Sequence, residues 1–409
     1  MTGINRNIIL FVLLLTLTAG CEFQDTESKI SLAENLLRNG ELTEAARVAG
    51  EILKSKDLSP KMEAKTDSIL EICYRIKRDF TLSGSDVIQA LSKYNPKADS
   101  IELLRLEKEH KIDLLVLDGK KSYFRNCIRN VFLLDTVYAG LKKQKEGCMT
   151  DSLSLFRIAH SKEILKYSGS AGKPVNPVRL KLTYTIRVAA DAIPAGETIR
   201  CWMPFPREQH RRQQDIHLSG TEPASFQLSP LTDLQRSLYM EKIAVANQPT
   251  IFRSEIEYTS YAQTFQLNPE MIRPYQKENP LYREFTAEKP PQIVFNDNIK
   301  SLAKSILGDE TNPLLQVRKI YRWINDSVTW ASALEYSIIP DIPGFVMKYR
   351  HGDCGMQTLL FMTLARHAGI PVKWQSGWML HPGETNLHDW CEVWYEGYGW
   401  VPLDQSFGL

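Results

Sequence analysis

The chain has 409 residues, 43% of them hydrophobic, which is enough for roughly two or three domains that each bury a core. Lysine and arginine total 50 against 48 aspartates and glutamates, a formal net charge of +2. That balance excludes the electrostatic footprint of a nucleic-acid-binding protein and leaves no polybasic patch for a membrane surface.

Residues 1–20 read as a signal peptide. Arg6 supplies a positive start, and Ile8 to Leu17 form an apolar run too short to span a bilayer comfortably. The run closes as Leu17-Thr18-Ala19-Gly20-Cys21, which resembles the lipobox of bacterial lipoproteins, although Thr18 stands where an aliphatic residue is more typical. The plainer reading is an ordinary secretory signal followed by an incidental Cys. The resemblance implies lipidation at Cys21 and a membrane-anchored protein of the bacterial cell envelope, facing the periplasm or the surface. Glu22, Asp25 and Glu27 then read as an acidic spacer. Cys73, Cys127, Cys148, Cys201, Cys354 and Cys391 are scattered, with no dense disulfide framework and no CxxC pair for a structural zinc.

Residues 21–167 read as an all-α domain. Leu32, Leu36 and Leu37, then Leu42, Ala45, Ala46, Val48 and Ile52, keep helical spacing on either side of Asn39-Gly40 and predict a helical hairpin. It resembles one tetratricopeptide unit, with no second copy at that period. Further helices are expected over Lys61–Arg78, Ser100–Leu117 and Lys121–Lys143, the last two parted by Asp118-Gly119. These stripes carry no acid–base constellation, so a packing or docking module is the expectation.

Residues 168–268 change character. Val178, Leu180, Leu182, Tyr184, Ile186 and Val188 alternate with Arg179, Lys181, Thr183, Thr185 and Arg187, the pattern of a half-buried strand. Ile199–Met203 and Phe252–Tyr261 also read as strands, predicting a β-sandwich-like domain. Residues 269–292, with Pro269, Pro274, Pro280, Pro290 and Pro291, read as a linker.

The last domain, 293–409, opens with a helix at Thr311-Asn312-Pro313, whose buried stripe is Leu314, Val317, Ile320, Tyr321 and Ile324. Cys354 to His367 reads as another helix, preceded by Gly352-Asp353 and stopped by Gly369. Cys354 thus sits at a helix N-terminus, where the dipole and free amides favour a thiolate and can accept a developing oxyanion. The plainer reading, a buried structural Cys, is opposed by the flanking glycines, which open space rather than fill a core. Val372–Met379 is an expected strand and Leu380–Leu387 an expected loop. His388–Tyr395 and Trp400–Asp404 form an expected antiparallel hairpin. A two-residue turn at Gly397-Tyr398 would put His388 and Asp404 on opposite faces. A three-residue loop, Glu396 to Tyr398, would set Asp404 opposite Trp390 and diagonal to His388, and a five-residue loop would set the two directly opposite. Thiolate, imidazole and carboxylate in this order are the parts of an acyl-transfer site.

Gly352-Asp353-Cys354-Gly355, His388-Asp389-Trp390-Cys391-Glu392-Val393 and Gly399-Trp400-Val401-Pro402-Leu403-Asp404 together resemble the core of the transglutaminase-like superfamily of papain-like thiol enzymes. The resemblance covers about Asn312 to Leu409. It implies an α+β papain-like fold with Cys354 as nucleophile, His388 as general base and acid, and Asp404 as the carboxylate that orients it. Trp323 and Trp330 are candidates for the aromatic group that assists the oxyanion, Trp323 reading as core and Trp330 as cleft wall or core. Family members usually continue with further strand beyond the aspartate, whereas this chain ends at Leu409.

Zinc on Cys354, His388 and Cys391 is disfavoured, because residues three apart on a strand point to opposite faces. No acidic calcium loop is present either. The expectation is therefore a cofactor-free, metal-free thiol enzyme acting on peptide or protein amides. Hydrolysis is favoured over cross-linking. The alternative from a different class is a transglutaminase-like scaffold that has lost activity and serves as a binding lipoprotein.

Overall fold

A computed structural model describes residues 25–55, 58–147, 152–168, 172–208 and 210–406. The expected signal peptide, Cys21 and Cys148 lie outside the described residues. Contacts divide the chain into two units. The first comprises the residues up to 149 together with Pro290–Gln292 and Asp326–Met356, and the second holds Thr150–Lys289, Ile293–Asn325 and the residues from Gln357 onward.

The first unit is not all-α. Helices cover 25–38, Leu42–Ile52 and Pro60–Asp79, close to expectation, but Asp25 and Glu27 belong to the first of these rather than to an acidic spacer. The expected helices Ser100–Leu117 and Lys121–Lys143 are corrected. Ser100–Lys108 is helical, after which Leu114–Leu117 and Lys120–Phe124 pair antiparallel, with Phe80–Leu82 added at the other edge of Lys120–Phe124. Asp118 (φ 46°) and Gly119 (φ 76°) both occupy the left-handed region, so the Asp-Gly pair is a tight hairpin turn rather than a helix break. A four-residue apolar run such as Leu114-Leu115-Val116-Leu117 is too short for periodicity to separate strand from helix. Beyond the hairpin, Cys127–Leu134 and Thr136–Glu146 are separate helices, the second capped by Asp135, whose carboxylate accepts the Tyr138 N–H at 3.0 Å. Cys73 and Cys127 belong to this unit's apolar core.

Asp326–Met356 contributes the parallel pair Thr329–Trp330 with His351–Gly352 and the helix Ile342–Tyr349. Asn130, fully buried, clamps the segment: its Nδ2 donates to the Ser332 carbonyl at 2.9 Å and its Oδ1 accepts the Ser332 N–H at 2.8 Å.

In the second unit, two three-stranded antiparallel sheets share one apolar core. One runs in the order Val175–Val188, Thr250–Ala262, Gln213–Glu222, and the other in the order Thr198–Pro204, Ser237–Ile243, Gln227–Leu228. Met203, Leu238, Met240, Phe252 and Ile256, drawn from both sheets, belong to that core. Helix Pro313–Ser327 starts as expected. The Asn312 side chain accepts the Leu314 N–H at 3.0 Å, and Leu314, Val317, Ile320 and Ile324 are buried. A final antiparallel sheet runs Val372–His381, Glu384–Tyr395, Gly399–Leu403. The expected loop Leu380–Leu387 is corrected, since pairing continues to His381 and Glu384 around Pro382-Gly383.

Candidate active site

Helix Cys354–His367 begins where expected. Asp353 caps it, its Oδ1 accepting the Met356 N–H at 3.1 Å, and the Tyr336 hydroxyl donates to the same oxygen at 2.5 Å. Gly352 is required by close approach, since a Cβ there would lie 2.9 Å from that of Met356. Cys354 is half-buried, whereas the other described cysteines, Cys73, Cys127, Cys201 and Cys391, are buried. Burial pushes the Cys127 thiol up to about 12 and the Cys391 thiol well above the ordinary range, with the charges of Asp404 and Glu392 adding to the second. Those thiols are protonated packing groups; among the described cysteines Cys354 is the accessible one.

Trp330 pairs with Gly352 in the parallel ladder, which brings it close in the fold to the start of the Cys354 helix. It is exposed, and the Arg129 guanidinium lies 5.2 Å over its ring. Trp323 is half-buried on helix Pro313–Ser327.

The hairpin that carries the other two residues closes with Tyr395 paired to Gly399, leaving Glu396 to Tyr398 as a three-residue loop. Gly397 (φ 97°) and Gly399 (φ 85°) take the left-handed conformations that this loop demands. Pairing ends at Cys391 with Leu403, so the next position, Asp404, falls beside Trp390 and diagonal to His388. Across that diagonal His388 Nε2 lies 2.6 Å from Asp404 Oδ2. The other carboxylate oxygen accepts from Ser406 Oγ at 2.7 Å and from the Ser406 N–H at 3.1 Å. With Nε2–H donated to Asp404, the ring presents Nδ1 as the basic nitrogen.

Several further groups support these residues. Trp390, on the same strand face as His388, stacks with the imidazole at 6.0 Å and 18°. Gly377 pairs with His388 across the strands, and a Cβ there would come 3.3 Å from the Trp390 ring. Gln405 Nε2 donates to Thr358 Oγ1 at 2.8 Å and the Gln405 backbone carbonyl accepts from Asn325 Nδ2 at 2.7 Å, fixing the chain directly after Asp404. The i, i+2 spacing of His388 and Trp390 was legible; Tyr336, Ser406 and Gln405 leave no sequence signal. Among the described residues no group of three His, Cys, Asp or Glu stands together as metal ligands would.

Residues 300–405 match the family model of the transglutaminase-like superfamily. This stretch, which contains Cys354, His388 and Asp404, is transglutaminase-like. The chain also resembles a candidate cysteine protease from Cytophaga hutchinsonii (17% identity, 57% of this chain and 78% of that one, TM-score 0.45). A second likeness is to the periplasmic domain of TgpA from Pseudomonas aeruginosa (16% identity, 58% and 75%, TM-score 0.30). No curated protein sequence matches the chain.

Proposed function

We propose that the chain is a cysteine-dependent acyl-transfer enzyme acting on peptide or protein amides, with water as the usual acceptor. The observation that carries this reading is the 2.6 Å bond between His388 and Asp404, taken with the accessible Cys354 thiol at the start of a helix. Cys354 Sγ, as thiolate, attacks the amide carbonyl carbon. Amides at the helix start stabilise the oxyanion, and the His388 imidazolium gives its proton to the leaving nitrogen as the C–N bond breaks. The resulting thioester is resolved when neutral His388 takes a proton from water, hydroxide adds to the carbonyl, and the C–S bond breaks to release the acid. Asp404 keeps one tautomer and stabilises the imidazolium throughout.

The N-terminal segment supports a lipid anchor at Cys21 and an envelope location, with a peptide or protein substrate at that surface. Among the described residues no helix is long and apolar enough to cross a membrane.

The test is intact-mass analysis of the full chain in detergent after exposure to a peptide library, with Cys354→Ala as control. A Cys354-dependent acyl adduct or cleaved peptide is expected, and an added amine then separates hydrolysis from cross-linking. A folded protein with neither adduct nor turnover would overturn the reading in favour of a binding scaffold.

A further inference from the structure

On strand Glu384–Tyr395, His388, Trp390 and Glu392 alternate onto one sheet face, opposite Gly377, Gln375 and Lys373 of the neighbouring strand. Four residues along a strand span about 13 Å, so Glu392 lies one short extended peptide away from His388. Beside it is a cavity of about 420 Å³ whose charged lining is Arg207, Arg211, Arg212 and Lys373 against Glu392 and Asp233. A smaller cavity of about 200 Å³ shares Arg207, Arg212 and Glu392 with it and reaches Gly377 and Trp390, the neighbours of His388. The two cavities share this wall, and the smaller one reaches the residues beside His388.

The chamber holds more positive charge than its own carboxylates neutralise. Glu392 is buried and already engaged, with Lys373 Nζ at 2.8 Å, Arg207 Nη2 at 3.0 Å and His210 Nε2 at 3.4 Å. Among the described residues, neither Arg211 nor Arg212 forms an ion pair. Arg212, half-buried, spends its Nε–H on the Tyr261 carbonyl at 3.1 Å, and burial lowers its pKa against the opposing pull of the Glu392 charge. A desolvated guanidinium beside an open cavity is matched by an anionic oxygen pair from a ligand.

We propose that this basic chamber is a specificity subsite for a carboxylate carried by the peptide substrate, an acidic side chain or a free chain end about four residues from the scissile amide. The proposal rests on the acyl-transfer reading of His388 but is tested by binding, so the two can fail separately.

The probe is a library of end-blocked peptides in matched pairs that differ only by Glu or Gln at one position, together with pairs ending in free acid or amide. Binding is measured to the full-length Cys354→Ala chain in detergent, which cannot turn over. Acidic members should bind roughly tenfold or more tighter than their amide isosteres. The preference should weaken with salt and disappear in Arg211→Glu, an exposed position whose change spares the fold, and in Arg207→Gln. Equal binding of acidic and amide members would overturn the proposal. So would binding of inorganic phosphate alone without discrimination among peptides, which would make the chamber a site for free anions.

Discussion

Trp390 lies over the position where a side chain on Gly377 would stand, its ring 3.3 Å from the missing Cβ, and it stacks in turn with His388. The glycine is the cross-strand partner of His388 itself. The sheet therefore sets the imidazole's plane through an aromatic ring that only a glycine leaves room for. Gly377→Ala should shift Trp390 by a few tenths of an ångström, tilt the imidazole and cut kcat/KM several-fold. Stability should fall by only about 1 kcal/mol. Peptide turnover and Tm on the same preparation check this; a collapse of stability in step with activity would contradict it.

Asp404 holds His388 in one tautomer and is itself held by Ser406. Asp404→Asn should keep the fold yet lower kcat by roughly a hundredfold to ten-thousandfold, because the amide favours the wrong tautomer. Ser406→Ala should have a much smaller effect, since the Ser406 backbone N–H still reaches Asp404. Steady-state kinetics with matched circular dichroism separate the two.

Tyr336 and Asp353 form a relay to the start of the Cys354 helix. Removing the Tyr336 hydroxyl leaves the cap in place, so Tyr336→Phe should cost about 1–2 kcal/mol through one charge-assisted hydrogen bond. Asp353→Ala, which loses the cap as well, should cost more. Urea unfolding of both variants measures the difference.

Asn130 pairs both of its amide groups with the Ser332 backbone. Asn130→Ala would leave the half-buried Ser332 N–H and carbonyl without these partners, at about 1–3 kcal/mol. A drop in the urea midpoint without a change in m-value is the expected signature.

Burial pushes the Glu392 carboxyl up, but His210, Arg207 and Lys373 together hold it down to about 2 in the folded chain, against 4.5 ordinarily. A carboxyl depressed by folding contributes stability above its unfolded value and loses it as pH falls. The loss should therefore run from about pH 4.5 down through 2 and reach at most about 3 kcal/mol. Tm measured between pH 6 and 3 should fall more steeply for the native chain than for Glu392→Gln, and parallel slopes would contradict the assignment.

Much of the C-terminal site could be read from one strand of text because it is built on local rules. Gly352-Asp353 before Cys354 and Gly369 after His367 mark a helix by capping chemistry alone, and the two glycines around Tyr398 mark a hairpin. What the sequence left open was decided by pairing between distant segments. Loop length alone allowed His388 and Asp404 to share a face or to oppose each other, and the ladder ending at Cys391 with Leu403 chose the diagonal. The Leu114–Leu117 run was equally undecided, since four apolar residues fit either period, and pairing with Lys120–Phe124 made it a strand. Tyr336, Ser406, Gly377 and the basic chamber around Glu392 gave no signal of their own. Each acts through a neighbour that only the folded chain brings within hydrogen-bond or van der Waals reach, an interaction too short in range for sequence spacing to record.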